Sequence, residues 1–278
     1  MATGDTTTAI GLRRVHVAIR DDDGTIKVQG SPAAGVAYNG IRAMRSRALT
    51  ITPAEPVRVT AMGDDVAFHT FQESPTDTPT GELRTQSVDT ALIALITSVK
   101  NFGSPNTFMV PVATDKVGEE DAMIVWGSSK GVQSESGSTF GRYWDTYLVL
   151  NALLAARPPT KEMGQIGEFT WSMTCNASSV DQFGRTMTEA IHGCTQGAYI
   201  IIHTRYKFML DKFTGDGAQS TWTLSQGANT KYNVATSPVF AFVDGVARAV
   251  SVSAGGVATI TPTPGNGDAI VVQYEYDD

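Results

Sequence analysis

Apolar residues recur at every second position over much of this chain, the period of a strand half buried on one face. Val15, Val17 and Ile19 open the pattern, and Asp21-Asp22-Asp23-Gly24 predicts a solvated turn into a second strand over 25–28. Strands are expected next at 48–52, 57–62 and 66–71, with turns at 53–56 and at Gly63-Asp64-Asp65. One helix stands out over 90–100: Asp89 can cap it, Leu92, Leu95, Ile96 and Val99 share a face, and Gly103 and Pro105 end it. Further strands are predicted at 107–112, 122–126, 143–150, 169–175 and 198–206. A Gly/Ser-rich loop is expected over 127–141. The run 144–156 also fits a helix, because a short apolar stretch does not fix the period.

The segment Glu73-Ser74-Pro75-Thr76-Asp77-Thr78-Pro79-Thr80-Gly81 breaks the alternation. Its prolines lack donors and its polar residues have nothing to bury, which predicts a long exposed loop. The texture changes again past Tyr206. Residues 211–217 read as a linker and turn, followed by short strands at 221–224, 239–243, 246–251, 257–261 and 270–276. About seventy residues of this kind suit a small β-sandwich. The expected division is therefore a larger β domain over 1–207 and a smaller one over 208–278, for a mainly β chain of 278 residues.

Composition narrows the function more than it specifies it. Net charge is −7, and no run of Lys and Arg along the chain could track a phosphate backbone, so gripping nucleic acid is not expected. No apolar run approaches the roughly 18 residues of a membrane span, and the first residues lack the basic start and apolar stretch of a secretory leader. The two cysteines, Cys175 and Cys194, read as reduced thiols of a cytoplasmically made protein. Asn176-Ala177-Ser178 then has no glycosylation role.

Candidate chemistry is sparse. Gly127-Ser128-Ser129-Lys130-Gly131 matches G-x-S-x-G after an apolar run, as a nucleophile elbow does, but Val132-Gln133-Ser134-Glu135-Ser136-Gly137 does not start the helix that motif needs. The four histidines, His16, His69, His192 and His203, show no metal-ligand spacing. Glu119-Glu120-Asp121 reads as a solvated turn. Asp21-Asp22-Asp23 lacks the ligand spread of a calcium loop, and Gly215-Asp216-Gly217 lacks the helix of a phosphate loop. Trp126, Trp144, Trp171 and Trp222 read as core, although an exposed Trp222 could stack a sugar. No catalytic residue, metal or cofactor is expected.

The segment Ile10-Gly11-Leu12-Arg13-Arg14-Val15-His16-Val17-Ala18 resembles the opening strand of siphophage tail-tube proteins. The polar loop, and Gly81-Glu82-Leu83-Arg84-Thr85-Gln86-Ser87-Val88-Asp89 leading into one helix, continue that likeness. Phe213-Thr214-Gly215-Asp216-Gly217 through Ser225, Val243-Asp244-Gly245-Val246 and Ile260-Thr261-Pro262-Thr263-Pro264 are similar to small β-modules appended to phage virion proteins. The resemblance implies a tail-tube β-sandwich or barrel with one flanking helix and an Ig-like decoration domain. It implies hexameric rings that stack into a tail tube through which DNA passes without specific binding. Residues 73–81 are then the inter-ring contact, and tail terminator, tape-measure and tail-tip proteins are the partners. The chain is expected to be a non-enzymatic virion protein assembled in the host cytoplasm. The rival readings are a decoration or host-surface carbohydrate-binding protein, and a hydrolase using Ser129.

Overall fold

The computed structural model describes residues 8–28, 35–43, 46–54, 57–63, 66–73, 78–86, 90–97, 122–134, 140–157, 168–233 and 238–277. Among the described residues the protein is mainly β, with two large antiparallel sheets, a two-stranded ribbon and two short α-helices. Its first half runs β1 (Thr8–Ile19), β2 (Ile41–Ala43), β3 (Ser46–Thr52), β4 (Val57–Gly63), β5 (Val66–Glu73), β6 (Thr80–Thr85), α1 (Thr90–Thr97), β7 (Met123–Ser134), β8 (Phe140–Arg157), β9 (Phe169–Cys175), α2 (Glu189–His192) and β10 (Tyr199–Thr204). The larger sheet has the order β2-β1-β7-β8-β9-β6-β3. Strand β8 is long enough to take two partners on one side, β10 along its first half and β9 along its second. Strands β4 and β5 form a separate two-stranded ribbon.

The terminal strands of this sheet, β2 and β3, are separated by two residues in the chain, so the sheet must roll until its ends meet, nearly closing a barrel. Gly127 makes the close approach possible: a Cβ there would lie 2.5 Å from Cδ2 of Leu49 on β3. Inside the roll, Val15, Val17, Leu83, Met123, Val125, Val149, Trp171 and Met173 are buried with Leu92, Ile93 and Leu95 of α1. The helix thus plugs the core with Leu92, Leu95 and Ile96 of the face read from the sequence and with Ile93, which that reading missed, while Val99 lies outside the described residues.

The second sheet is built from β11 (Lys207–Asp216), β12 (Thr221–Thr223), β13 (Thr230–Lys231), β14 (Phe240–Val243), β15 (Val246–Val252), β16 (Val257–Thr261) and β17 (Asn266–Tyr276). Its order is β11-β17-β14-β15-β16-β12, with β13 also beside β17. Met209, Phe213, Trp222, Ile260, Ile270, Val272 and Tyr274 form its own core. The alternate residues Phe208, Leu210, Phe242 and Val271 point the other way. There they form a third cluster with Ala18, Ile26, Ile124, Trp126, Leu148, Leu150, Phe183 and Met187 of the first half. Strands β11, β14 and β17 are therefore buried on both faces.

Polar groups fasten that seam. The Lys212 side chain is 5% exposed, and its ammonium donates to Thr25 Oγ1 (2.6 Å) and Asp21 Oδ2 (3.3 Å), with Asp23 Oδ2 at 3.6 Å. The acidic triplet is thus a counter-charge for a buried lysine and not a purely solvated turn. Beside it, Tyr38 and Lys212 exchange backbone hydrogen bonds (2.9 and 2.8 Å), so the stretch before β2 completes the edge of β11. Asp21–Gly24 has a twin in Asp181–Gly184: each closes with a glycine amide donating to the aspartate carbonyl (3.0 and 3.1 Å), and each glycine has positive φ. The two turns pack on one another, since a Cβ on Gly24 would sit 3.0 Å from that of Val180.

Several expectations are corrected. Residues 127–134 are strand, not loop, because pairing with β8 satisfies their small polar side chains: the Ser128 and Thr146 hydroxyls bond at 2.8 Å in a buried site. The strand expected at 143–150 is present and continues to Arg157, which excludes the helix alternative for 144–156. Residues 211–216 are the inner part of β11 and not a linker, because β17 pairs along nearly all of it. The proposed strand at 25–28 reduces to one bridge between Arg20 and Ile26. Thr80 and Gly81 belong to β6 and Glu73 to β5, which shortens the predicted 73–81 loop. The predicted strand 107–112, the cap Asp89 and the stop at Gly103 lie outside the described residues.

Two stability measurements follow from these buried charges. Replacing Asp21 and Asp23 together by Asn strands the Lys212 ammonium and should cost about 2 kcal/mol in urea unfolding, discounted because both carboxylates are partly exposed. Lys212→Met should cost less. Asp211 accepts from Ser225 N (2.8 Å), Ser225 Oγ (2.9 Å) and Tyr274 OH (2.8 Å), yet burial still pushes its carboxyl up from 3.8 to about 6. The folded state therefore holds this proton more tightly than the unfolded chain, so its contribution is complete below 3.8 and lost as pH rises through about 6. Between pH 4 and pH 7, wild type should lose about 2 kcal/mol relative to Asp211→Asn.

Candidate assembly surfaces

Strand β10 leaves one edge outside the sheet, since the only strand it pairs with among the described residues is β8. Its sequence, Tyr199-Ile200-Ile201-Ile202-His203-Thr204, is apolar on both faces. Ile200 and Ile202 pack toward the seam. On the opposite face Ile201 is 56% exposed and lies across from Tyr147, itself 37% exposed. The next row pairs His203 with Asp145 (Nδ1 to Oδ1, 2.7 Å), and the Tyr143 ring stacks on the imidazole at 4.9 Å. An open edge thus lies beside an exposed apolar and aromatic stripe, the combination that invites strand pairing with another chain.

The predicted contact segment connects the ribbon to the rolled sheet. Glu73 ends β5, and Ser74, Pro75, Thr76 and Asp77 lie outside the described residues. Thr78 is exposed, and the Pro79 carbonyl accepts from the Cys175 amide (2.8 Å). Thr80 stands between Thr52 and Thr174, and Gly81 between Ile51 and Met173. With Thr50, Glu82 and Ser172 these hydroxyls make a shallow polar depression on the outside of the roll. Arg84 on the same strand donates to Glu82 (2.6 Å), leaving this face close to neutral.

Ser129, Asp145 and His203 occupy one cross-strand row on β7, β8 and β10, a juxtaposition the sequence could not reveal because the residues come from three strands. The order within the row defeats a triad. Asp145 lies between the serine and the imidazole, which are two strand spacings, roughly 10 Å, apart. Ser129 Oγ instead donates to the Asp145 backbone carbonyl (3.4 Å) and is nearly buried. His192, the last residue of α2, is already engaged: it contacts Asp181 Oδ2 (3.1 Å) and accepts from the Thr188 amide (3.1 Å), while Arg185 also donates to Asp181.

Among the described residues no group of three or more His, Cys, Asp or Glu is placed to hold a metal ion. Both cysteines are free, and burial pushes the Cys175 thiol up to about 11, which makes it a poor nucleophile. Trp222 is buried against Phe213, so it offers no sugar-stacking surface. Asp216 caps its own turn by accepting from Ala218 N (2.9 Å) and Gln219 N (2.7 Å). The His69 side chain and Glu119-Glu120-Asp121 lie outside what is described. Among the described residues no helix is long and apolar enough to cross a membrane. No protein-family model and no curated protein matches this chain.

Proposed function

We propose that this chain is a structural subunit that polymerises, specifically a tail-tube protein of a long-tailed bacteriophage whose hexameric rings stack around a channel for DNA. The observation that carries this reading is the open edge of β10 with Ile201 and Tyr147 exposed beside it on a rolled antiparallel sheet. A neighbouring copy that covers the stripe and pairs the edge removes both liabilities, and a ring closes the series. The β4–β5 ribbon supports the same reading, because two strands alone are marginal in water and gain from a further partner. The connection from Glu73 to Gly81 is then the contact between rings, and tail terminator, tape-measure and tail-tip proteins meet the ends of the tube.

Packing across the seam supports a structural part for the second sheet beyond decoration. Ending the chain at Tyr206 uncovers Ile124, Trp126 and Leu148. Such a fragment should be recovered mainly as aggregate, and solubility with cooperative thermal unfolding would contradict that expectation.

Negative-stain microscopy of the full chain tests the assembly itself. Rings or tubes with a central hole are expected, and a uniform monomer at about 50 μM, well above a micromolar Kd, would count against the proposal. Ile201→Asp should keep the wild-type circular dichroism spectrum and abolish the tubes. Tubes formed as readily by this variant would remove β10 from the interface.

A further inference from the structure

The sequence shows no basic run, yet the fold gathers four cations at one end of the seam. His16 on β1 lies opposite Arg42 on β2 and Trp126 on β7. Two residues earlier on the same face of β1, Arg14 lies opposite Ser128, and Lys130, next on that face of β7, lies opposite Trp144. Directly opposed residues and residues two apart share a sheet face, so all of these belong to the face that the second sheet covers. The cover ends there with Lys207 and its cross-strand partner Tyr276.

Aromatic rings hold two of the cations in place. Arg14 donates to the Tyr276 hydroxyl (2.7 Å) with its guanidinium 5.3 Å from the ring centre. The Lys207 ammonium lies 5.4 Å from the Trp144 ring centre and 5.5 Å from that of Tyr276. The charges feel one another: burial first, and then Arg14, Lys130 and Arg42, push Lys207 toward its neutral form, against an opposing pull from Asp277. Glu275 also stands at this end of β17, where it accepts from the Tyr206 amide (2.8 Å).

His16 supplies a second, independent sign. It is 6% exposed and stacked flat on Trp126 (5.1 Å, 8°), and neither ring nitrogen has a hydrogen-bond partner. The Asn39 backbone stands close without reaching ordinary bonding geometry. Burial, aided by Arg42 and Arg14, lowers the imidazole to about 4, so at neutral pH the ring has one N–H to give and one nitrogen to accept. Leaving the N–H unmade costs free energy that a bound oxyanion, accepting from it, returns.

We infer that Arg14, Arg42, Lys130 and Lys207, gathered around His16, form a binding site for a phosphate-class oxyanion. Several cations converging with an N–H donor suit a multivalent oxyanion better than a single carboxylate. The site goes beyond the assembly proposal and stands whether or not the chain forms tubes.

Calorimetric titration of the full chain with sodium pyrophosphate at low ionic strength tests it, with matched sodium chloride as the control. One pyrophosphate per chain should bind with a submillimolar Kd, and the His16 ring signals should shift in parallel in 1H–15N spectra. Arg42→Gln and Lys130→Gln leave the Arg14–Tyr276 bond in place, and each should weaken binding about tenfold or more. A short DNA duplex forms the second arm. Duplex binding with the same dependence on Arg42 and Lys130 would identify a phosphodiester as the ligand, whereas pyrophosphate binding alone would identify a small phosphate compound. Absence of both at millimolar pyrophosphate and micromolar duplex, or affinity unchanged in the folded variants, would overturn the site.

Discussion

Burial of one sheet on both faces governs the architecture. Strands β11, β14 and β17 alternate their side chains between a core of their own and the seam with the rolled sheet, so both faces are buried along most of their length, with Phe240 at the start of β14 left 45% exposed. Such strands carry near-continuous apolar runs, as Phe208-Met209-Leu210 and Ile270-Val271-Val272 do. The polar exceptions within them all meet partners: Asp211 takes three donors, and Lys212 reaches Asp21, Asp23 and Thr25. A charge kept at a seam in this way fixes the register of the two halves, because a slip of one residue would leave Lys212 facing apolar side chains.

Close approach at the seam has a second requirement. The hairpin tip Asp244-Gly245 turns with both residues at positive φ, and a Cβ on Gly245 would sit 3.0 Å from the Gly184 carbonyl. The neighbouring Phe183 and Phe242 rings stack at 4.0 Å, and Arg185 covers the Phe242 ring at 5.1 Å. Turn tips from distant parts of the chain thus nest together, and their small residues are dictated by tertiary contact as much as by turn geometry.

Much of this fold was legible from alternation alone. The strands at 57–62, 66–71, 169–175 and 257–261 and the start of α1 at Thr90 came from periodicity and flanking turn residues. What escaped were places where composition and pairing disagree. Gly127-Ser128-Ser129-Lys130-Gly131 looks like a loop locally, but a neighbouring strand decides such a segment by supplying its hydrogen bonds, while Gly127 leaves the room that Leu49 fills. Thr214-Gly215-Asp216 looked like a turn for the same reason. The candidate surfaces were less legible still. Ile201 and Tyr147 are neighbours only because strands far apart in sequence pair, and Arg14 and Lys207 only because two sheets pack, and no spacing rule within one segment reports either.

The bridge between Tyr38 and Lys212 also sets a clock. On the ribosome the first partner emerges about 170 residues before the second, which at 5–20 residues per second is roughly 10–30 s. Throughout that interval the stretch before β2 has its backbone donors and acceptors turned to water, and the apolar face of β7 and β8 waits for a cover not yet made. Closure of so long a loop comes late in folding, after the rolled sheet has formed from nearer contacts. This makes the nascent first half the species most exposed to chaperones and to wrong pairing between chains.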